Sequence, residues 1–132
     1  MRKILGAIAL LGYSVVSSAD NAVMPVMVGG EEDLDACGSV GVVSGLAPRG
    51  DGFLAVRTGA NASYKLVDKL LEGQQVLMCS TSADGKWYGI VYAPENKDLD
   101  CGVSSPISPA QPYQGKCKSG WVSGLWIKQI AG

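Results

Sequence analysis

Short apolar runs separated by polar turns occupy most of the chain, and this pattern predicts an all-β fold. Apolar and polar side chains alternate in Phe53–Arg57, as in a half-buried strand. Asp84-Gly85 is a typical hairpin turn between two apolar runs. The predicted strands are 40–43, 53–57, 76–79, 87–92, 120–123 and 125–127. Their number and spacing favour a small barrel or sandwich, and we expect five to six short antiparallel strands.

The N-terminal segment has a different pattern and predicts a signal peptide over residues 1–19. Two basic residues precede the apolar run Ile4–Val16, and small residues follow it up to a cleavage site between Ala19 and Asp20. The run is too short for a membrane span, which needs about 20 residues. We therefore expect a secreted protein without a membrane span after cleavage. A periplasmic location fits best, and release beyond the outer membrane stays open.

Residues 20–36 are expected to form a flexible acidic lead before the folded domain, which we place at 37–132. Acidic side chains cluster in Glu31–Asp35, as in solvated tails. The apolar stretch Val23–Val28 is interpreted as a linker, and an edge strand is the alternative.

Charge excludes some classes of partner. Without the signal, the chain keeps nine of its 11 basic residues and all 12 acidic ones, which gives a formal net charge of −3. Nucleic acids and anionic lipid surfaces attract basic proteins, so neither is an expected partner.

Four cysteines, Cys37, Cys79, Cys101 and Cys117, predict two disulfides in an exported chain of this size. The chain contains no histidine and no C-x-x-C pair, so neither a zinc site nor a Cys–His nucleophile is expected. No metal or cofactor is predicted. The sequence allows three pairings. We favour Cys37–Cys79 and Cys101–Cys117, because the second pair closes a segment rich in proline and serine.

An ordered set of motifs resembles the bacterial Src-homology-3-type domain. The set comprises Leu54–Gly59 followed by Tyr64, then Trp87-Tyr88-Gly89-Ile90, and finally Gly120-Trp121-Val122-Ser123. The resemblance implies a small β-barrel, and alternation on its strands would fill the interior with Leu54, Val56, Val76, Ile90 and Val122. Trp121 is the aromatic residue most expected in the core. The chain departs from the family in an insert at about 93–119, which contains Cys101 and Cys117.

The candidate ligand-binding residues are Arg57, Tyr64, Trp87 and Tyr92. The three aromatic side chains are candidates to line a shallow groove beside the loops 58–64 and 80–86, as aromatic side chains do in peptide-binding domains. For any single ring, packing within the fold is the favoured alternative. Arg57 is expected to point outward, where it either binds a carboxylate or pairs with Asp68. The structural pairing with Asp68 is the favoured interpretation.

The functional hypothesis is a non-enzymatic, monomeric envelope module that binds a peptide or peptidoglycan component, as the resemblance implies. The alternative is a periplasmic module for a protein partner, such as an inhibitor or immunity factor, because a tied insert is pre-organised for docking. Catalysis is not expected: Ser104 and Ser105 have no histidine to activate them. Asp98 and Asp100 are interpreted as residues of a solvated loop rather than as a calcium site or a glycosidase pair.

Overall fold

A computed structural model describes residues 22–46 and 52–132, and this part of the chain is all-β. The strands are β1 (Met27–Val28), β2 (Ser39–Val43), β3 (Leu54–Arg57), β4 (Leu66–Leu70), β5 (Gln75–Thr81), β6 (Trp87–Tyr92), β7 (Gln111–Pro112), β8 (Lys118–Ser123) and β9 (Ile127–Ala131). Two short 3-10 turns are formed by Pro94–Asn96 and Gly124–Trp126. Within these ranges, no helix has the length and apolar character needed to cross a membrane. The predicted signal peptide and its cleavage site lie outside the described residues.

Seven strands form one antiparallel sheet in the order β4-β3-β8-β6-β5-β2-β9, and β1 pairs with β7 in a separate two-stranded sheet. Each of the terminal strands β4 and β9 pairs with one neighbour in the sheet, so the predicted closed barrel is wrong. Closure would require these two edges to bond to each other. Both edges carry charged side chains, for example Lys69 and Lys128, a common protection of open edges against pairing.

One face of the sheet carries an aliphatic core. Its buried members are Val43, Leu54, Val56, Leu70, Val76, Ile90, Tyr92 and Val122. All five residues that alternation assigned to the interior belong to this cluster, so that prediction is confirmed. Successive side chains of a strand point to opposite faces of the sheet, so apolar residues at every second position collect on one face and form this inner core.

A second buried cluster covers the opposite face of β6. It consists of Val28, Ala36, Cys37, Val91, Ala93, Cys101, Val103 and Cys117. The lead and the insert supply most of its residues, and together they form what we call the outer layer: residues 22–37 and 93–117. The disulfides Cys37–Cys79 and Cys101–Cys117 are both present, which is the pairing favoured from the sequence.

The lead packs on the sheet, in contrast to the linker expected from its composition. Val26 and Val28 are only 3% and 2% exposed. The amide of Cys37 donates to the carbonyl of Val103 at 3.1 Å, and the amide of Tyr113 donates to the carbonyl of Val26 at 2.9 Å. Because the lead finds hydrogen-bond partners in the insert, its apolar side chains are buried instead of left in solvent. The acidic side chains of Glu31–Asp35 are exposed, as expected.

Tyr113 closes the insert. Its hydroxyl donates to the carbonyl of Cys101 at 2.7 Å and accepts from the amide of Cys117 at 3.1 Å. One side chain therefore links the two ends of the loop that the disulfide also joins. The insert is a tied element of the outer layer and not a free excursion.

Candidate functional site: an aromatic cleft at the β5–β6 hairpin

Two of the four predicted ligand residues are neighbours, but their contact is structural. The Arg57 guanidinium donates from Nη1 to the carbonyl of Tyr64 at 3.0 Å. This bond holds the loop between β3 and β4 against the strand from which it departs. The predicted ion pair between Arg57 and Asp68 is wrong for the described residues, because Asp68 pairs with Lys118 at 3.4 Å instead.

Tyr92 is a core residue, since it is only 2% exposed. Its hydroxyl donates to Oδ2 of Asp68 at 2.7 Å. Burial raises the pKa of Tyr92 strongly, and the hydrogen bond and negative charge of Asp68 raise it further. For Asp68, burial acts to raise the pKa, but the bonds from Tyr92 and the Lys69 amide, with the charge of Lys118, lower it overall. This group stabilises the fold rather than binding a ligand.

Trp87 and Tyr92 do not share a groove. They lie at opposite ends of β6, roughly 16 Å apart at the rise of an extended strand. They also differ by an odd number of positions, so their side chains point to opposite faces of the sheet.

The surface between the predicted loops is covered by the chain itself. The Met24 amide donates to the carbonyl of Thr58 at 2.8 Å, and the Trp121 indole donates to the carbonyl of Met24 at 3.0 Å. Further along, the Ser80 hydroxyl donates to the carbonyl of Met27 at 2.7 Å. The lead thus crosses the outer face where the groove was expected. Trp121 is buried there, as predicted.

Gly89 explains why the lead can approach so closely. A Cβ at this position would lie 3.2 Å from Cγ1 of Val26 and 3.2 Å from Cη2 of Trp121. The Val26 side chain therefore fits over a strand position that has no side chain of its own. The expected groove is closed by this packing.

Trp87 instead borders a different cleft, which remains open. It has a volume of about 530 Å³ and lies where the β5–β6 hairpin meets the 3-10 turn after β8. We call it the hairpin cleft. Its lining residues are Gly85, Lys86, Trp87, Tyr88, Ser123, Gly124 and Leu125.

The hairpin side of the cleft is built by Asp84 and Ser82. Oδ1 of Asp84 accepts from the Ser82 hydroxyl at 2.6 Å and from the Lys86 amide at 2.9 Å. These two hydrogen bonds lower the pKa of Asp84. Gly85 adopts a positive φ of 75°, which the turn requires and which glycine adopts without strain. The Asp84-Gly85 signal in the sequence thus locates one wall of the cleft.

The other wall is the 3-10 turn that carries Leu125. Oγ of Ser123 accepts from the Leu125 amide at 3.3 Å, and the Gly124 amide donates to the carbonyl of Lys86 at 2.8 Å. These bonds fix the turn, yet the Leu125 side chain is 83% exposed. Gly124 lies against Tyr88, because a Cβ there would be 3.1 Å from Cε2 of the ring. A large apolar side chain is therefore held in solvent beside an aromatic surface.

A second cleft of about 590 Å³ is bordered by Asp68, Glu72 and Glu95. It has more charged side chains than the hairpin cleft, but its carboxylates already form hydrogen bonds or ion pairs within the protein. Asp68 is engaged as described above. Oε2 and Oε1 of Glu72 accept from the amides of Gly45 and Leu46 at 3.1 and 3.0 Å, and Glu95 pairs with a lysine. All three carboxylates already have partners within the protein, so the hairpin cleft is the better candidate site.

The acidic groups do not form a metal centre in the part of the chain that the structure describes, where no cluster of three or more metal-ligating side chains occurs. Asp98 and Asp100 are exposed, in agreement with the solvated-loop interpretation. Oδ1 of Asp100 accepts from the Gly102 amide at 2.8 Å, a local turn contact.

The sequence named Trp87 as a candidate ligand residue, whereas Lys86, Tyr88, Ser123 and Leu125, its neighbours in the cleft, were not among the candidates. The Asp84-Gly85 turn and the adjacent Trp87-Tyr88 pair were visible signals for one wall. The second wall depends on the pairing of β6 with β8, which sets Trp87 opposite Ser123. No local sequence pattern indicates pairing between strands so distant in sequence.

Comparison with known proteins returned no match, whether to a family model, a curated protein or a solved structure.

Proposed function

We propose that this chain is a non-enzymatic binding module of the bacterial cell envelope that recognises a peptide or peptidoglycan component at the hairpin cleft. The observation that carries the proposal is Leu125, an apolar side chain fixed in an exposed position next to Trp87 and Tyr88. Aromatic and aliphatic groups around a pre-formed cleft are typical of peptide recognition, because little order must be gained on binding.

The distribution of polar groups supports binding rather than catalysis. The chain has no histidine, the commonest general acid or base. Asp84, the acidic residue next to the hairpin cleft, is engaged in hydrogen bonds that stabilise its charged form. A general acid needs the opposite change in pKa.

Two observations support a location in the cell envelope: the disulfides and the signal-like N-terminal pattern. Two disulfides are typical of proteins that fold in oxidising compartments. The signal-like pattern of residues 1–19 favours secretion, most consistently into the periplasm.

A relationship to the bacterial Src-homology-3-type domains is part of the proposal. The matching motifs fall on β3, β6 and β8, three adjacent strands of the antiparallel sheet. If the chain belongs to that group, the lead covers one face and the binding surface has moved to the hairpin cleft.

The test is co-sedimentation of the purified chain with isolated cell-wall sacculi. We expect the wild type to sediment, and Trp87→Ala and Leu125→Asp to reduce the bound fraction at least about tenfold, since each removes a cleft anchor. Trp126→Ala is the matched control: Trp126 is 38% exposed but lies outside the cleft lining. No sedimentation, with Trp87→Ala indistinguishable from wild type, would contradict the proposal.

The tied insert favours a second candidate, a periplasmic protein-partner module such as an inhibitor or immunity factor. The disulfide and Tyr113 both restrain the segment between Cys101 and Cys117, whereas Ser104–Pro106 and Ser108–Pro112 are exposed. Affinity capture from an envelope extract distinguishes the two. One stoichiometric protein, lost on Gln111→Ala or Pro112→Ala but not on Trp87→Ala, would support this alternative.

A further inference from the structure

We infer that the hairpin cleft recognises its ligand by a terminal carboxylate: the ligand is a short aliphatic peptide bound through its C-terminus. The inference rests on the proposed function and adds the chemical class of the bound group. It comes from the balance of hydrogen-bond donors and acceptors among the side chains of the cleft.

The charged side chain among the lining residues is Lys86. Among the described residues, no carboxylate oxygen lies within 4.0 Å of its ammonium group. Asp84 is close in sequence: hydrogen bonds from Ser82 and the Lys86 amide and, as a smaller effect, the charge of Lys86 lower its pKa, but the two side chains form no ion pair within 4.0 Å. An ammonium group has three donors and no acceptor, so an anionic group that enters the cleft can accept hydrogen bonds from Lys86.

Ser123 supplies a second donor. Its oxygen accepts from the Leu125 amide at 3.3 Å, and its hydroxyl proton is left to donate. Ser123 is opposite Trp87 in the β6–β8 register, and Gly124 bonds to the Lys86 carbonyl, so both donors border one cleft. A carboxylate offers two acceptor oxygens, the complement of this pair.

The apolar wall distinguishes a peptide from a sugar. A sugar ring carries several hydroxyl groups, each of which needs a polar partner when it leaves water. Leu125, Trp87 and the glycines offer mainly apolar surface beside the two donors. A C-terminal residue with a small aliphatic side chain combines a carboxylate with apolar atoms, which is the combination this cleft presents.

The probes are N-acetyl-D-alanyl-D-alanine with a free carboxylate and the same peptide ending in an amide. Binding to the purified, disulfide-intact chain is followed by chemical-shift titration. We expect the acid to bind about tenfold more tightly than the amide, because a hydrogen bond to a charged acceptor is stronger than one to a neutral acceptor. Shifts should be largest at Lys86, Ser123 and Leu125.

Lys86→Gln is the diagnostic variant, since Lys86 is exposed on a hairpin and its substitution leaves the core intact. It should abolish the preference for the acid. Lys116→Gln, at an exposed lysine of the insert, should preserve it. N-acetylmuramic acid and N-acetylglucosamine are the sugar probes; they differ by a lactyl ether group that carries the carboxylate.

Equal affinity for the acid and the amide, or an unchanged preference in Lys86→Gln, would overturn the inference. Tighter binding of the sugar acid than of the peptide acid would also overturn it and would assign the cleft to a glycan. In each case sacculus binding that depends on Trp87 would still support the proposed function, so the two failures are distinguishable.

Discussion

The inner core and the outer layer of this domain are stabilised by different kinds of interaction. The inner core is built from aliphatic side chains on regular strands, whereas the outer layer is built from irregular segments with both disulfides. Irregular chain has fewer ladder hydrogen bonds and costs more conformational entropy to order, so covalent links contribute most there. The comparison shows how a small sheet can carry an added layer that covers one face and leaves the hairpin cleft open.

The largest expected effect comes from removing the bond between the layers. The Cys37–Cys79 disulfide joins the lead to β5 and closes a loop with a sequence separation of 42. Replacing both cysteines by alanine should lower the free energy of unfolding by about 4 kcal/mol in the chain-entropy model. Chemical denaturation with circular dichroism measures this loss. A loss below about 1 kcal/mol would contradict a role for the disulfide in attaching the outer layer.

The next largest effect belongs to the bond within the insert. Cys101–Cys117 has a sequence separation of only 16, so its double replacement by alanine should cost about 3 kcal/mol. Denaturation should therefore rank the two double variants in this order. The reverse order would mean that native packing of the insert, and not loop closure, determines the cost.

Tyr113→Phe should have a smaller effect of about 1–2 kcal/mol. It removes the hydroxyl that links the Cys101 carbonyl and the Cys117 amide but keeps the ring. In the Cys101→Ala, Cys117→Ala background the same substitution tests coupling, because both features restrain one loop. Strict additivity of the two losses would contradict a shared role.

The smallest effect concerns pH and the inner core. The pKa of Asp68 is lowered overall in the folded state, so its stabilisation is present above the ordinary value of 3.8 and is lost as pH falls through the lower folded-state value. Stability measured between pH 5 and pH 2 should fall less in Asp68→Asn than in the wild type. Glu31→Gln, at an exposed acidic residue of the lead, is the control and should follow the wild type.

Sequence patterns predicted the inner core well and the outer layer poorly. Alternation assigned Leu54, Val56 and Ile90 correctly, because period two is a local property of each strand. Burial of Val26 depends on contacts with Gly89 and Trp121, far away in sequence, and no local pattern shows them.

The candidate site follows the same division between local and distant signals. The Asp84-Gly85 turn and Trp87 were readable from the sequence. The contribution of Leu125 depends on the register of β6 with β8. Tyr92 was misassigned because a tyrosine in a strand looks the same whether its hydroxyl meets solvent or a buried partner such as Asp68.

Amide hydrogen exchange on the reduced chain tests most directly whether the two layers are held separately. The account predicts that the amides of Ala36, Cys37 and Tyr113, which bond the lead to the insert, lose protection by more than about a hundredfold when both disulfides are reduced. In the same reduced chain, amides of β3, β6 and β8 should stay at least about a hundredfold better protected than these, because the outer layer opens without unfolding the inner core. Equal protection of both sets in the reduced chain would show one cooperative unit and would contradict the account.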